Sequence, residues 1–240
     1  MKQINYTMLI LLAIMGGCEK KVVEPVTCYP VTISPYHDWD GVTFYYDSSN
    51  RVNQLIIDGV QSIPFSYDSL GRLMPHGAST TYTYNSSNQL IKSVSKDGGS
   101  AGIVHTITYG YNASGQRISE TTEETRNDGP TINFGFEYIY PNTTTNNFSQ
   151  IILADRTSVY FTYDDKPNPL RSFGLIGFFF NPIYGYLTIY FSDNNIIKLK
   201  SVGVQGESTT TFEFTYNEQG YPATVSRGGS IDRTYTYNCK

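Results

Sequence analysis

Tyr67-Asp68-Ser69-Leu70-Gly71-Arg72-Leu73 is the stretch whose reading decides the fold. An aromatic residue closes a strand, and Asp follows, able to accept backbone hydrogen bonds from residues just ahead of it. Gly71 stands where a positive φ is needed, and an apolar residue opens the returning strand. Tyr46-Asp47-Ser48-Ser49-Asn50-Arg51-Val52 and Tyr84-Asn85-Ser86-Ser87-Asn88-Gln89-Leu90 align with it without a gap, Asn50 and Asn88 taking the place of Gly71. Tyr111-Asn112, Tyr163-Asp164, Tyr216-Asn217 and Tyr237-Asn238 repeat the anchor, with looser copies at Tyr140-Pro141-Asn142 and Phe191-Ser192-Asp193. Recurrence at roughly 20 to 30 residues marks one structural unit set beside the next.

The runs around the anchors are strands. Thr81-Tyr82-Thr83-Tyr84, Ile107-Thr108-Tyr109-Gly110-Tyr111 and Phe212-Glu213-Phe214-Thr215-Tyr216 alternate apolar and polar residues with a period of two. No comparable stretch has a 3.6-residue period. With 21 Tyr, 13 Phe and one Trp in 240 residues, the composition suits a pleated sheet. The expected fold is all-β: a single antiparallel meander of hairpins, forming a curved or half-rolled sheet. One short irregular or helical insert is expected near 167–185, where Pro167, Pro169 and Pro182 bracket an apolar run.

The first residues read as a sorting signal. Met1-Lys2 is positive, Met8 to Met15 is apolar, and Gly16-Gly17-Cys18 closes the segment. The apolar run is too short to cross a hydrocarbon layer of about 30 Å as a helix, and it suits a secretory signal. Small residues before Cys18 resemble the bacterial lipobox, with Met15 where Leu is usual. The expected division is a lipoprotein signal peptide over 1–17, a lipid-anchored tether over 18–27 beginning at lipidated Cys18, and a β domain over 28–240. That makes the partner a membrane, reached through the lipid, and the address the outer membrane of a bacterial envelope. The mixed charge of Glu19-Lys20-Lys21 leaves both the periplasmic and the surface face open. An oxidising envelope permits a disulfide, and Cys28 with Cys239 is the candidate pair.

Here a resemblance becomes specific. Tyr67 to Leu73 resembles the YD repeat of Rhs and teneurin-type proteins, whose long sheets spiral into shells. Tyr163-Asp164-Asp165-Lys166-Pro167-Asn168-Pro169, Asn194-Asn195, Asn217-Glu218-Gln219-Gly220-Tyr221-Pro222 and the closing Tyr-Thr-Tyr-Asn-Cys are similar to small Bacteroidota lipoproteins with a YD-like domain of unknown function. The resemblance implies a fold and an address but no activity. A Rhs-type toxin shell needs many more repeats and an autocleavage motif, and is not expected.

Chemistry is sparse. The formal charge is −4, and Lys and Arg are scattered. No basic stripe is available for phosphates, so nucleic acid is excluded as a partner. The sequence has no zinc-ligand spacing, nucleophile elbow or phosphate loop, so no metal, cofactor or catalytic residue is assigned. Tyr36-His37-Asp38-Trp39-Asp40 reads first as a solvated turn, and second as a candidate ligand surface beside the only Trp. Phe178, Phe179, Phe180 and Tyr184, in the most apolar stretch after the signal, form a second candidate surface if they are not simply core. Adjacent acids such as Asp164-Asp165 and the group Glu120, Glu123, Glu124 are read as polar-face residues. Sequons at Asn85, Asn112 and Asn142 are read as turn chemistry. The expected role is non-catalytic binding or scaffolding, with glycan, lipid or an envelope protein as ligand. A lipid or glycan carrier is the alternative, and a glycan hydrolase using His37, Asp38 or Asp40 a further one.

Overall fold

In a computed structural model, residues 27–34, 41–75, 79–96, 102–127, 129–171 and 192–240 are described. They form sixteen strands: β1 (Cys28–Ser34), β2 (Val42–Tyr46), β3 (Val52–Ile57), β4 (Gln61–Pro64), β5 (Thr80–Tyr84), β6 (Leu90–Lys96), β7 (Val104–Tyr111) and β8 (Arg117–Thr125), followed by β9 (Ile132–Ile139), β10 (Gln150–Leu153), β11 (Ser158–Pro167), β12 (Asn194–Gly203), β13 (Gly206–Thr211), β14 (Glu213–Tyr216), β15 (Pro222–Arg227) and β16 (Ser230–Cys239). All pairings are antiparallel. The only helical turn among the described residues is a 3₁₀ turn at 169–171.

The expected single sheet is in fact two. One has seven strands in the order β14-β15-β16-β1-β2-β3-β4, the other nine in the order β13-β12-β11-β10-β9-β8-β7-β6-β5. Neither closes on itself among the described residues. Twist accumulates across neighbouring strands, and open sheets of more than about ten strands curl or split. Here the split falls at Phe212, the single residue between β13 and β14, and over the segment from Phe65 to Met74 between β4 and β5. The meander is also interrupted, because β1 pairs with β16 and so joins the two ends of the fold.

The Tyr-Asx turns have one geometry. Asp68 Oδ1 accepts the N–H groups of Leu70 (3.0 Å) and Arg72 (2.9 Å), and Oδ2 holds the Arg72 guanidinium at 2.6 Å. Asn85 Oδ1 likewise accepts the N–H groups of Ser87 and Gln89, while its Nδ2 donates to Gln89 Oε1. Asn50, Gly71 and Asn88 have φ of 58°, 77° and 61°. Each hairpin is then fastened to the previous one. Tyr67 donates its hydroxyl to the Val52 carbonyl at 2.7 Å, Tyr84 to Leu73, Tyr111 to Leu90, Tyr163 to Phe148 and Tyr237 to Pro222. Burial pushes the Tyr67 and Tyr84 hydroxyls up to about 12, so both remain donors beyond the pH at which an ordinary tyrosine ionises.

The copies at Tyr163-Asp164 and Asp193 depart from this geometry. At Tyr163-Asp164 the three turn residues are replaced by 165–194, yet Asp164 Oδ1 still accepts the Asn195 N–H (3.1 Å) and Oδ2 its side-chain amide (3.0 Å). Of the Phe191-Ser192-Asp193 copy, Phe191 lies outside the described residues, and Asp193 lies within that insertion, accepting from Asn146 and pairing with Arg171. Leu170, from the insertion's start, reaches the core under the seven-stranded sheet with Ile33, Phe44, Leu55 and Phe65. A smaller core gathers Tyr138, Phe148 and Ile151.

Two outcomes are expected. Tyr67→Phe leaves the Val52 carbonyl without its donor and should cost about 1 kcal/mol in urea unfolding, with an unchanged m-value. Hydrogen bonds from the Arg72 and Arg51 N–H groups hold the Asp68 and Asp47 carboxyls below their ordinary range. Their contribution is complete above the unfolded value of about 4 and is lost as pH falls through the lowered folded values. An Asp47→Asn, Asp68→Asn double variant, with the acceptor kept and the titration removed, should therefore show a flatter acid limb in thermal unfolding between about pH 4 and 2.

Candidate functional site

A recess between β1 and β2 joins aromatic walls to polar groups. These strands share only two residue pairs, Thr32 with Thr43 and Ile33 with Val42. A bulge between Pro30 and Thr32 leaves Val31 out of register. Pro30 has no N–H to donate, and its carbonyl is taken by the Tyr46 hydroxyl at 2.7 Å. The strands therefore part below Thr32, and a groove of about 390 Å³ opens. That volume falls within the range of about 300–1,000 Å³ common for small-molecule sites.

Tyr29, Tyr45 and Tyr46 supply the aromatic surface with buried Phe44, and Val31 and Thr43 complete the lining. Tyr29 meets Tyr46 edge to face at 5.5 Å, which fixes both rings, and Tyr45 is 45% exposed. Asp47, Asn50, Asn238 and Lys240 provide the polar rim. Asp47 stays ionised because its turn N–H groups and the Arg51 guanidinium hold the carboxylate. The Lys240 ammonium lies 5.9 Å from the Tyr29 ring centroid. A second recess, of about 490 Å³, lies between the 155–157 and 203–207 hairpin ends and has no aromatic wall.

Cys28 and Cys239 are joined as a disulfide and face each other in the β1–β16 register, next to Tyr29 and Asn238. Cys18, Tyr36, His37, Asp38, Trp39, Asp40, Phe178, Phe179, Phe180 and Tyr184 all lie outside the described residues. Asn85 and Asn112 use their side-chain amides to hold Gln89 and Gln116, and Asn142 accepts from Thr144 and Thr145. These three sequon asparagines therefore sit in turns. The groove had no motif to announce it, because Tyr29 and Tyr45 come together with Asn238 only through β1–β16 pairing.

Glu120 departs from its expected polar face. It is 4% exposed, 3.6 Å from Arg117, which is itself 9% exposed and stacked over Tyr109 at 4.7 Å. Burial raises the Glu120 carboxyl above its ordinary range, and the Arg117 charge opposes that shift. Glu124 lies four residues further along the same extended strand, roughly 13 Å away. Glycoside hydrolysis needs two carboxyls about 5 to 9.5 Å apart, so these two do not make such a pair. His105 and Arg126 engage Glu124 instead. No group of three or more His, Cys, Asp or Glu among the described residues is arranged to hold a metal.

No protein-family model matches the chain, and no curated protein matches it. Among solved structures it is similar to a porin-like protein from Bacteroides uniformis, with 19% identity, a TM-score of 0.53, and coverage of 90% of this chain and 98% of that one. A porin-like protein from Bacteroides vulgatus aligns at 9% identity with a TM-score of 0.57, covering 88% and 99%. At these identities the likeness is one of fold: an all-β protein of antiparallel sheets.

Arg117→Met should destabilise the protein by about 3 kcal/mol or more, since it leaves Glu120 buried without its counter-charge. Adding Glu120→Met should recover much of that loss, as read from denaturant midpoints of the two variants.

Proposed function

We propose that this chain is a non-catalytic binding protein of the bacterial envelope, anchored to the outer membrane through lipidated Cys18, whose β1–β2 groove takes a saccharide. The hairpins are read as YD-type units, akin to those of the small Bacteroidota lipoproteins. The observation that carries the reading is the groove: fixed tyrosine rings beside a carboxylate, two amides and an ammonium. A sugar presents apolar C–H faces to aromatic rings and hydroxyls to such polar groups, and tyrosine offers rigid contact area with a polar tip. The envelope address draws support from the lipobox-like Gly16-Gly17-Cys18 and from the fold shared with porin-like Bacteroides proteins.

A pore is the weaker reading. The face of the nine-stranded sheet opposite Tyr109 and Glu120 exposes Lys92, Thr121, Glu123, Glu137 and Lys198. Charged residues on a lipid-facing barrel surface cost up to about 2–4 kcal/mol each near the bilayer midplane. Such a face suits water.

Calorimetric titration with neutral and N-acetylated oligosaccharides tests the proposal. Binding should weaken about tenfold or more in Tyr45→Ala and remain unchanged in Tyr160→Ala, an exposed tyrosine outside the groove. Equal affinity of Tyr45→Ala and the parent would sink the assignment.

A further inference from the structure

β16 and β1 form a hairpin without a turn. In the complete hairpins Tyr46 pairs with Val52, Tyr84 with Leu90 and Tyr216 with Pro222, always six residues on. The carbonyl of that sixth residue receives the next anchor's hydroxyl, as Val52 does from Tyr67 and Pro222 from Tyr237. The residue just before it covers the next anchor's ring: Arg51 lies 4.3 Å from the Tyr67 centroid, and Tyr221 packs on Tyr237 at 5.6 Å.

The seam reproduces all three contacts. Tyr237 pairs with Pro30, the Pro30 carbonyl receives the Tyr46 hydroxyl, and Tyr29 packs on Tyr46. Tyr29 and Pro30 therefore complete a hairpin begun by Tyr237-Asn238 at the other end of the sequence. Where the complete Tyr-Asx hairpins have their turn, this one has the Cys28–Cys239 disulfide, flanked by reciprocal 3.0 Å bonds between Thr27 and Lys240. The groove opens beside the missing turn, with Tyr29, Asn238 and Lys240 as one wall. On its other side β1 has only its two pairs with β2, so the position of that wall depends on the seam.

We propose that the disulfide is a redox-sensitive latch on the groove: oxidised, it holds Tyr29 in place for ligand, and reduced, it releases the wall. The inference rests on the saccharide reading of the groove. The co-reactant is a dithiol. Its thiolate attacks the Sγ of exposed Cys239, and the Sγ–Sγ bond breaks with buried Cys28 as the leaving thiolate. The second thiol of the reductant then displaces Cys239 from the mixed disulfide. Two electrons and two protons pass to the protein, which ends with two thiols while the dithiol becomes a disulfide.

Saccharide titration and amide exchange on the oxidised protein, the dithiothreitol-reduced protein and a Cys28→Ser, Cys239→Ser variant test the latch. Reduced protein and variant should both bind about tenfold more weakly, keep the strand signature in circular dichroism, and exchange faster at residues 27–31 and 236–240. The variant should ignore the reductant. Equal affinity in oxidised and reduced protein overturns the latch and leaves the groove reading standing, as does a loss that comes only with global unfolding. If the oxidised protein binds no saccharide, the groove reading fails, and unchanged exchange at the seam then overturns the latch on its own.

Discussion

The bond from an anchor tyrosine to the carbonyl at the start of the previous return strand is what the rest of the structure depends on. A hairpin alone is marginal in water, since its turn and ladder are local and one face stays wet. The Tyr67–Val52 bond and its counterparts tie each hairpin to its predecessor at the end where the strands would otherwise fray. Arg51 over Tyr67 and Arg72 over Tyr84 shield those rings from solvent. Further along, Gln89 and Gln116 reach instead to backbone carbonyls of the next turn, at Gly115 and at Asn142 and Thr145. The joint is the same, and only the chemistry of its cover changes.

That joint tolerates two interruptions. At Asp164 a long segment replaces the turn, and Asn195 still closes on the carboxylate. Tyr216 then bonds Asp164 Oδ2 in place of a backbone carbonyl. At the seam the turn is absent and a disulfide spans the gap. In the chain-entropy account, a cross-link over so long a loop is worth about 5 kcal/mol, more than a typical turn supplies. The repeat thus constrains strand pairing more than chain continuity.

Burial is uneven along the array. Among the described residues, β7 and β8 contribute nothing to either apolar cluster, and their buried face instead carries Tyr109, Arg117, Glu120 and Thr122. A buried ion pair of this kind adds little net stability relative to apolar residues, yet losing one partner is costly, so it restricts which packing is allowed. The alternation of β8 announces two faces. It does not say that the Glu120 side is the covered one, because Glu123 and Glu124 flank it with the same chemistry.

The sequence by itself determined whatever is closed within a handful of residues. The Tyr-Asp and Tyr-Asn turns, the positive φ at Asn50, Gly71 and Asn88, and the all-β class all follow from steric and hydrogen-bonding preferences that neighbours settle among themselves. Tertiary structure decided the rest. The division into two sheets comes from twist summed over many strands, which no single hairpin records. That Asp193 caps no turn of its own depends on Asn195 closing back on Asp164 across the insertion. The seam and the groove exist only because β1 meets β16, bringing Tyr29 beside Asn238 from opposite ends of the chain. Contacts at that separation are selected by the pairing of the whole array, and beyond the candidate Cys28–Cys239 pair the local pattern carries no trace of them.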